Sequence, residues 1–342
     1  MPNVSLPHAA VTQQICRWPP DMADLFRDTD EFSPTLDAAA EKLGVGATAV
    51  EKDYWVTQVL RALALGFFDD FVFKGGTSLS KKFGLIERFS EDIDILVVPG
   101  DRGSGATDTL MKAMANDAAA SIGGTPTSFG GAERGRHRTY EIPYPILRPA
   151  TELIQPRVLL EMGVRGGDHP KQKVSMGTLV GDALTRADVD ISTYADLADI
   201  ELWVLHPGRT LLEKLATVHL EARRLSRDHK RTPDPRIGRH FYDIYQLLDD
   251  TDTMNLLEDR VEVDRVLDEI AAVTRRYFAQ PDEDIEPVPA GGFRSSPAFD
   301  PTSPAQARLR DSYEATMPEL YFGSGPLPSW EQILERVASA PI

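Results

Sequence analysis

Two aspartates are the residues of this sequence best suited to chemistry. Asp92 and Asp94 alternate with apolar residues in the segment DIDILV. Because side chains on a strand repeat with a period of two, both carboxylates lie on one face, about 6.6 to 7 Å apart. Two divalent ions about 3.5 to 4 Å apart fit between such carboxylates. Oxygen ligands with no histidine or cysteine beside them favour Mg²⁺ or Mn²⁺ over zinc.

A glycine turn precedes the two aspartates. The apolar run over residues 71–73 stops at the segment KGGTS, residues 74–78. The two glycines let the chain turn sharply and approach a ligand closely. Thr77 and Ser78 are favourable N-cap residues for a following helix, whose free N–H groups would face the same anion. The residues predicted to bind a nucleoside triphosphate are Lys74, Gly75, Gly76, Thr77 and Ser78.

Glu161 is the candidate third acid. It interrupts the apolar segment RVLLEMG, residues 157–163, which has the pattern of a strand. A buried carboxylate is costly unless a cation compensates its charge. We therefore predict that Asp92, Asp94 and Glu161 hold the metal, and that Glu161 also orients or deprotonates an acceptor hydroxyl. An arginine partner or a position on an edge strand would also explain Glu161.

Two motifs of this region resemble the AbiEii/AbiGii family. They are KGGTSL, residues 74–79, and RFSEDID, residues 88–94. The family comprises nucleotidyltransferase-like toxins, MenT-like toxins among them, of bacterial abortive-infection and toxin–antitoxin systems. Its flanking motifs are similar to EKDY, residues 51–54, and RHFYDIY, residues 239–245. The resemblance implies an α/β (α+β) fold with a mixed nucleotidyltransferase-type sheet flanked by helices.

The resemblance also implies a function. It implies a toxin of phage defence that transfers a nucleoside monophosphate from a triphosphate to RNA, at the 3′ acceptor end of tRNA, and so stops translation. It implies a cognate antitoxin as a partner. It assigns site roles to Lys214, which would neutralise phosphate charge, to Asp243 and to Ser90.

These three residues also have simpler explanations. Lys214 lies at the edge of an apolar helical stripe, where a lysine can also point to solvent. Asp243 lies on the flank of a helix, where it could pair with Arg239 four residues earlier. Ser90 could form a local hydrogen bond within its loop.

Other functions remain open from the sequence alone. A related transferase could act on a protein or a small molecule, and a catalytically inactive nucleotide-binding or interaction module is a further alternative. A haloacid-dehalogenase-like phosphatase fits poorly, because its Asp-x-Asp motif ends the first strand of its domain without a preceding glycine turn. The joint presence of Asp92, Asp94, Glu161 and Lys214 favours an active enzyme.

Charge limits the kind of partner. The chain has a formal net charge of -16, which argues against general adhesion to nucleic acid or to anionic membranes. One local stretch is basic, however, and we call its seven Lys and Arg residues the basic strip: Arg223, Arg224, Arg227, Lys230, Arg231, Arg236 and Arg239. The strip is a candidate RNA contact, and a solvated surface is the alternative.

Composition also predicts the compartment and the organisation of the chain. Cys16 is the only cysteine among 342 residues, and no apolar run approaches 18 residues. We therefore expect a soluble cytoplasmic protein without a membrane partner. We expect an N-terminal arm over 1–32, a nucleotidyltransferase core over 33–205 and a helical region over 206–342 with a proline-rich loop at 280–306.

Hydrophobic periodicity predicts individual elements as well. Helices are expected from residue 33 and over 51–65, 108–120, 209–225, 237–248, 261–278, 307–319 and 330–338. Strands are expected over 71–73, 92–97, 139–142, 144–148 and 157–164.

Overall fold

The computed structural model describes residues 24–88, 90, 92–151, 154–277 and 286–342. Cys16 and most of the predicted N-terminal arm lie outside the described residues. The described residues form one mixed sheet of seven strands and eleven α-helices. The α/β prediction with a mixed sheet is therefore confirmed.

The strands pair in the order β3-β4-β5-β2-β1-β7-β6. Their bounds are β1 Phe71–Lys74, β2 Asp92–Val97, β3 Thr127–Ser128, β4 His137–Pro143, β5 Arg157–Gly163, β6 Lys171–Met176 and β7 Ile200–Leu205. The pairs β2–β5 and β1–β7 are parallel, and the other pairs are antiparallel. The two strands that carry the predicted acids, β2 and β5, are thus direct neighbours near the centre of the sheet.

The helices fall into two groups along the chain. The first group is α1 Phe32–Leu43, α2 Ala47–Phe67, α3 Gly75–Lys81, α4 Ser104–Ser121 and α5 Leu179–Thr185. The second group is α6 Pro207–Arg227, α7 Gly238–Leu247, α8 Thr251–Glu258, α9 Arg260–Tyr277, α10 Pro304–Leu320 and α11 Trp330–Ser339. No helix of the described ranges is both long enough and apolar enough to cross a bilayer.

Two apolar clusters hold these elements together. In the first, α1, α2, α4 and α5 pack on the sheet, and Ile93, Ile95 and Val97 of β2 are buried in it. The second lies among the helices from α6 to α11, where the predicted apolar stripe of α6 is buried. Leu79 of α3 belongs to this second cluster. The short helix after the glycine turn therefore connects the sheet to the helical region.

Several predicted elements differ from the observed ones. The expected strand over 144–148 is wrong, because this segment has no regular secondary structure. It lies in PYPILRP, where Pro143, Pro145 and Pro149 lack the N–H groups that a strand needs for pairing. The strands β3, β6 and β7 and the helices α5 and α8 were not predicted. Of the predicted proline-rich loop over 280–306, residues 280–285 lie outside the described residues, and α10 begins at Pro304.

A buried aspartate connects the start of the described chain to the core. Asp196 accepts hydrogen bonds from the backbone N–H of Phe26 at 2.8 Å and of Arg27 at 3.1 Å, and from the hydroxyl of Tyr54. Its carbonyl oxygen accepts from Gln58 at 2.9 Å. Burial, and then the charge of Asp196, raise the pKa of Tyr54 above its usual value, so this phenol stays a donor.

We expect Asp196→Ala to lower the free energy of unfolding by about 3 kcal/mol, because several buried donors lose their acceptor. Urea unfolding measures the change. Asp311→Ala removes an exposed aspartate and should change stability by no more than about 0.5 kcal/mol. Equal stability of the two variants would contradict the role of Asp196.

Candidate active site

The glycine turn is shaped by two close approaches. Gly75 has φ +80°, and a Cβ at this position would collide with the carboxylate of Asp94. A Cβ on Gly76 would lie 2.8 Å from Ser90 Oγ and 2.9 Å from Arg88 Nη2. Both positions therefore require glycine, the first for its backbone angle and for space, the second for space.

The helix after the turn begins earlier than the sequence predicts. Because α3 starts at Gly75, Thr77 and Ser78 lie inside it and are not its N-caps. The Thr77 hydroxyl donates to the carbonyl oxygen of Asp92, and the Ser78 hydroxyl donates to that of Gly75 at 2.9 Å. These hydroxyls thus stabilise the turn and the start of β2.

Asp94 lies in a row of polar residues across the centre of the sheet. It is opposite Lys74 on β1 and opposite Glu161 on β5, which in turn is opposite Thr139 on β4. Burial, and next the charge of Glu161, raise the pKa of Asp94 to about 6, although Lys74 acts in the opposite direction. Asp92, two residues earlier, adds to the rise and is itself buried. The carboxylates of Asp92 and Asp94 at the start of β2 are therefore close to that of Glu161 on β5.

Glu161 is partly exposed, whereas Asp92 is buried. The Glu161 side chain is 38% exposed, and Oε1 lies 3.3 Å from His137 Nε2 on β4. An arginine partner, one of the alternatives from the sequence, is not among its contacts with described residues. Nor does it lie on an edge strand, since β5 is paired on both sides.

A further carboxylate, Asp243, lies on the helical side of the site and has a different environment. Asp243 of α7 is fully buried and accepts two hydrogen bonds from Arg88, from Nε to Oδ1 and from Nη2 to Oδ2, each at 2.6 Å. Lys214 Nζ of α6 lies 2.7 Å from the same Oδ2. In place of Arg239, the alternative partner considered from the sequence, Asp243 contacts two cations that are distant in sequence.

These contacts and the burial of the cluster shift the pKa values of Asp243, Lys214 and His240. Burial alone would raise the pKa of Asp243, but Arg88 and then Lys214 hold it well below its usual value. Burial lowers the pKa of Lys214, with Asp243 acting in the opposite direction. His240 lies beside Lys214, with Nδ1 3.4 Å from Nζ, and burial followed by the charge of Lys214 lowers its pKa well below the usual value. His240 is therefore neutral and can accept a hydrogen bond from Lys214.

A pocket of about 180 Å³ opens between the glycine turn and helices α6 and α7. Its lining residues are Lys74, Gly75, Gly76, Arg88, Ser90, Asp94, Thr210, Glu213, Lys214, Thr217, Arg239 and His240. Four of them carry a Lys or Arg side chain and two carry a carboxylate. The pocket therefore offers a mainly cationic wall beside the Asp94 carboxylate.

Arg239 is the least constrained cation of this wall. Among the described residues it makes no hydrogen bond or ion pair, and burial followed by the charge of Arg88 lowers its pKa. Lys74, in contrast, lies 3.8 Å from Glu213, which also contacts Arg209 at 3.1 Å. A guanidinium of this kind is suited to binding an anionic ligand.

The structure brings together most of the residues predicted from the sequence. Six of them line the pocket: Lys74, Gly75, Gly76, Ser90, Asp94 and Lys214. Asp243 does not line it but forms ion pairs with two lining residues, Arg88 and Lys214. Thr77, Ser78, Asp92 and Glu161 are not among the lining residues. Sequence reasoning missed Arg88, Glu213, His240 and His137, and treated Arg239 only as part of the basic strip. Arg88 and Arg239 belong to the motifs quoted above, so their positions in those motifs were the available signal.

We expect Asp243→Asn to lower the free energy of unfolding by about 3 to 5 kcal/mol near neutral pH, because two buried cations lose their counter-charge. Since the folded protein holds the pKa of Asp243 below that of an unfolded aspartate, about 3.9, this stabilisation is complete above about pH 4. It is lost as the pH falls further.

Urea unfolding at several pH values tests this expectation. The stability difference between wild type and Asp243→Asn should be constant from about pH 5 to 7 and should narrow below about pH 4. A difference that persists unchanged into acid would show that ionisation of Asp243 is not its source. Asp311→Asn, at an exposed position of α10, is the matched control.

Comparisons with known proteins identify the family. Among solved structures, the chain is similar to MenT4, a nucleotidyltransferase toxin from Mycobacterium tuberculosis, with 20% sequence identity, a TM-score of 0.49 and coverage of 88% of this chain and 86% of that chain. Curated protein sequences give no significant match. The family model of the nucleotidyl transferase AbiEii toxin of type IV toxin–antitoxin systems matches residues 58–336. Because that match spans most of its length, this chain belongs to the AbiEii family of nucleotidyltransferase toxins.

Proposed function

We propose that this toxin transfers a nucleoside monophosphate from a nucleoside triphosphate to an RNA hydroxyl, at the 3′ acceptor end of tRNA, and thereby blocks translation. The observation that carries the proposal is the position of Asp94. It lies between Glu161 and Lys74 on the sheet and also lines the cationic pocket. An acceptor activated on one side and a polyphosphate bound on the other would meet at this carboxylate.

Asp92, Asp94 and Glu161 would hold Mg²⁺ or Mn²⁺. Their oxygen atoms are the donors that these ions prefer. The raised pKa of Asp94 supports this assignment, because burial first and the charge of Glu161 next disfavour its ionised form, and a divalent cation would offset both effects. In their present conformations, the described residues contain no group of three His, Cys, Asp or Glu side chains that converge on one point. A bound ion would supply charge stabilisation for the phosphate oxygens in the transition state.

The triphosphate would lie against the cationic wall of the pocket. Arg239 and Lys214 from the helices, Lys74 from β1 and Arg88 before β2 are the cations of this wall. The glycine turn allows the backbone to approach closely, and the Ser90 hydroxyl lies against Gly76. Thr77 and Ser78 would contribute only backbone groups, since their hydroxyls already donate to carbonyl oxygens.

Glu161 would accept the proton of the acceptor hydroxyl. The hydroxyl oxygen would attack the α-phosphorus, the bond to pyrophosphate would break, and the proton would pass to the Glu161 carboxylate. His137 Nε2, 3.3 Å from Oε1, is placed to orient that carboxylate. Lys214 and Arg239 would stabilise the charge that builds up on the leaving phosphates.

The partners follow from the family and from the surface. The family match suggests a cognate antitoxin, and its type suggests a role in phage defence in the cytoplasm. Within the basic strip, Arg231 forms a bidentate pair with Glu221 at 3.1 and 3.0 Å, so it is less suited to RNA than the exposed Lys230 and Arg236. Transfer to a protein or small molecule remains the alternative.

The direct test is incubation of the protein with each labelled triphosphate, Mg²⁺ and total RNA, followed by gel electrophoresis. Label should enter RNA of tRNA size with one or more of the triphosphates. Label that enters only protein or small molecules would contradict the proposed acceptor, and no transfer under any condition would contradict the proposed reaction.

We expect Asp94→Asn to abolish transfer and to weaken Mn²⁺ binding, which calorimetry measures without any turnover. The variant should keep or slightly raise the melting temperature, because the raised pKa of Asp94 means that folding disfavours its charge. Asp311→Asn, at an exposed position of α10, serves as the control. Wild-type Mn²⁺ affinity in Asp94→Asn would remove Asp94 from the metal site.

We expect the double variant Lys230→Gln, Arg236→Gln to bind tRNA more weakly and with a flatter salt dependence. Each phosphate that the protein no longer neutralises should reduce the log-log slope by about 0.7 to 0.9. The triphosphate KM should not change, because the pocket is intact. Lys42→Gln, Arg186→Gln removes two exposed cations elsewhere and is the matched control. An unchanged slope would make the strip an ordinary solvated surface.

A further inference from the structure

Three arginines surround one tyrosine at the end of α9. The guanidinium carbons of Arg136, Arg165 and Arg276 lie 5.8, 5.7 and 5.1 Å from the ring centroid of Tyr277. Cation–π contacts have this range. Arg136 and Arg276 are exposed, and Arg165 and Tyr277 are partly exposed. The cluster is therefore reachable from solvent.

The cluster carries excess positive charge in an acidic protein. Arg165 pairs with Glu133, whereas Arg136 and Arg276 make no ion pair with any described residue. Guanidinium groups gathered around one ring repel each other, and an anion would reduce that repulsion. Arginines beside an exposed aromatic ring are also the combination that binds single-stranded nucleic acid, where bases stack on the ring and cations contact phosphates.

The cluster is near the candidate third acid along strands β4 and β5. Arg136 directly precedes His137, whose Nε2 is 3.3 Å from Glu161. The Arg136 carbonyl oxygen accepts a hydrogen bond from Val164 at 3.0 Å, just after β5 ends. Arg165 follows Glu161 by four residues, about 13 Å along an extended chain. A few unstacked nucleotides would cover that distance.

We propose that Tyr277, Arg136, Arg165 and Arg276 bind the unpaired 3′ end of the acceptor RNA and lead its terminal hydroxyl to Glu161. We call these four residues the Tyr277 platform. The inference rests on the proposed function, to which it adds the path of the acceptor. The triphosphate enters from the side of α6 and α7, and the acceptor enters from the side of β4 and α9. The basic strip then serves the double-stranded part of the RNA.

Fluorescence anisotropy with two RNAs tests the platform on the full chain. One is a hairpin with a short unpaired 3′ overhang, and the other is the same hairpin with a blunt end. Tyr277→Leu should bind the overhang RNA about tenfold more weakly, because a stacking surface is removed, and should bind the blunt RNA within about twofold of wild type. Tyr277→Phe keeps the ring and should preserve the preference for the overhang.

The arginines provide a second measurement that does not depend on Tyr277. Arg136→Gln, Arg276→Gln should flatten the salt dependence of overhang binding by about 0.7 in log-log slope for each phosphate that is no longer neutralised. Both side chains are exposed, so the fold should persist even where Tyr277→Leu is destabilised, and urea unfolding checks this. Arg186→Gln, on an exposed turn after α5, should leave the slope unchanged.

The outcomes separate the platform from the proposed function. Wild-type preference for the overhang in both Tyr277→Leu and Arg136→Gln, Arg276→Gln would overturn the platform, while transfer of label to RNA by wild type would still support the function. Failure of wild type to label RNA would overturn the function itself.

Discussion

The site depends on one buried carboxylate with two cationic partners. Asp243 holds Arg88, which precedes β2, and Lys214, which projects from α6. Single buried ion pairs often gain little, since desolvation offsets attraction, but removing one member leaves the others uncompensated. The aspartate therefore fixes where the helices lie relative to the strand that carries Asp92 and Asp94. It also keeps both cations charged at the wall of the pocket.

The glycine turn is the second feature on which the site depends, because it packs closely against the Arg88–Asp243 pair and against β2. Arg88, held by Asp243, lies over Gly76 together with Ser90, and the Asp94 carboxylate lies against Gly75. A larger residue at position 75 would displace the Asp94 carboxylate, and one at position 76 would displace the Arg88 guanidinium. The glycines are thus needed less for a free hinge than for close packing between the turn, the Arg88–Asp243 pair and the carboxylate of β2.

Features that depend on neighbouring residues in the chain could be predicted from the sequence, whereas contacts between distant residues could not. The alternation of β2 and the apolar stripe of α6 are read directly from side-chain period. Glu161 was predicted as a buried carboxylate in an apolar strand, but its side chain is 38% exposed, and its role in the site stays a prediction. Strand β7 was missed because IELWVL carries a glutamate and a tryptophan in an apolar run, which obscures the period of two. The partners of Asp243 were missed because Arg88 is 155 residues away, and no spacing rule covers such a pair. The same reason hid His137 beside Glu161, and Arg136 and Arg165 beside Tyr277.

The site therefore contains two unequal electrostatic environments. On the helical side, cations balance Asp243 and lower its pKa, so this group is already compensated and has no capacity for a further cation. On the sheet, carboxylates face one another, and the pKa of Asp94 is raised to about 6. Excess negative charge at Asp94 of β2 and excess positive charge at Arg239 of α7 and Lys214 of α6 line the same pocket. A polyphosphate with divalent cations has the complementary distribution, since its ions would face the sheet and its phosphate oxygens would face the helices.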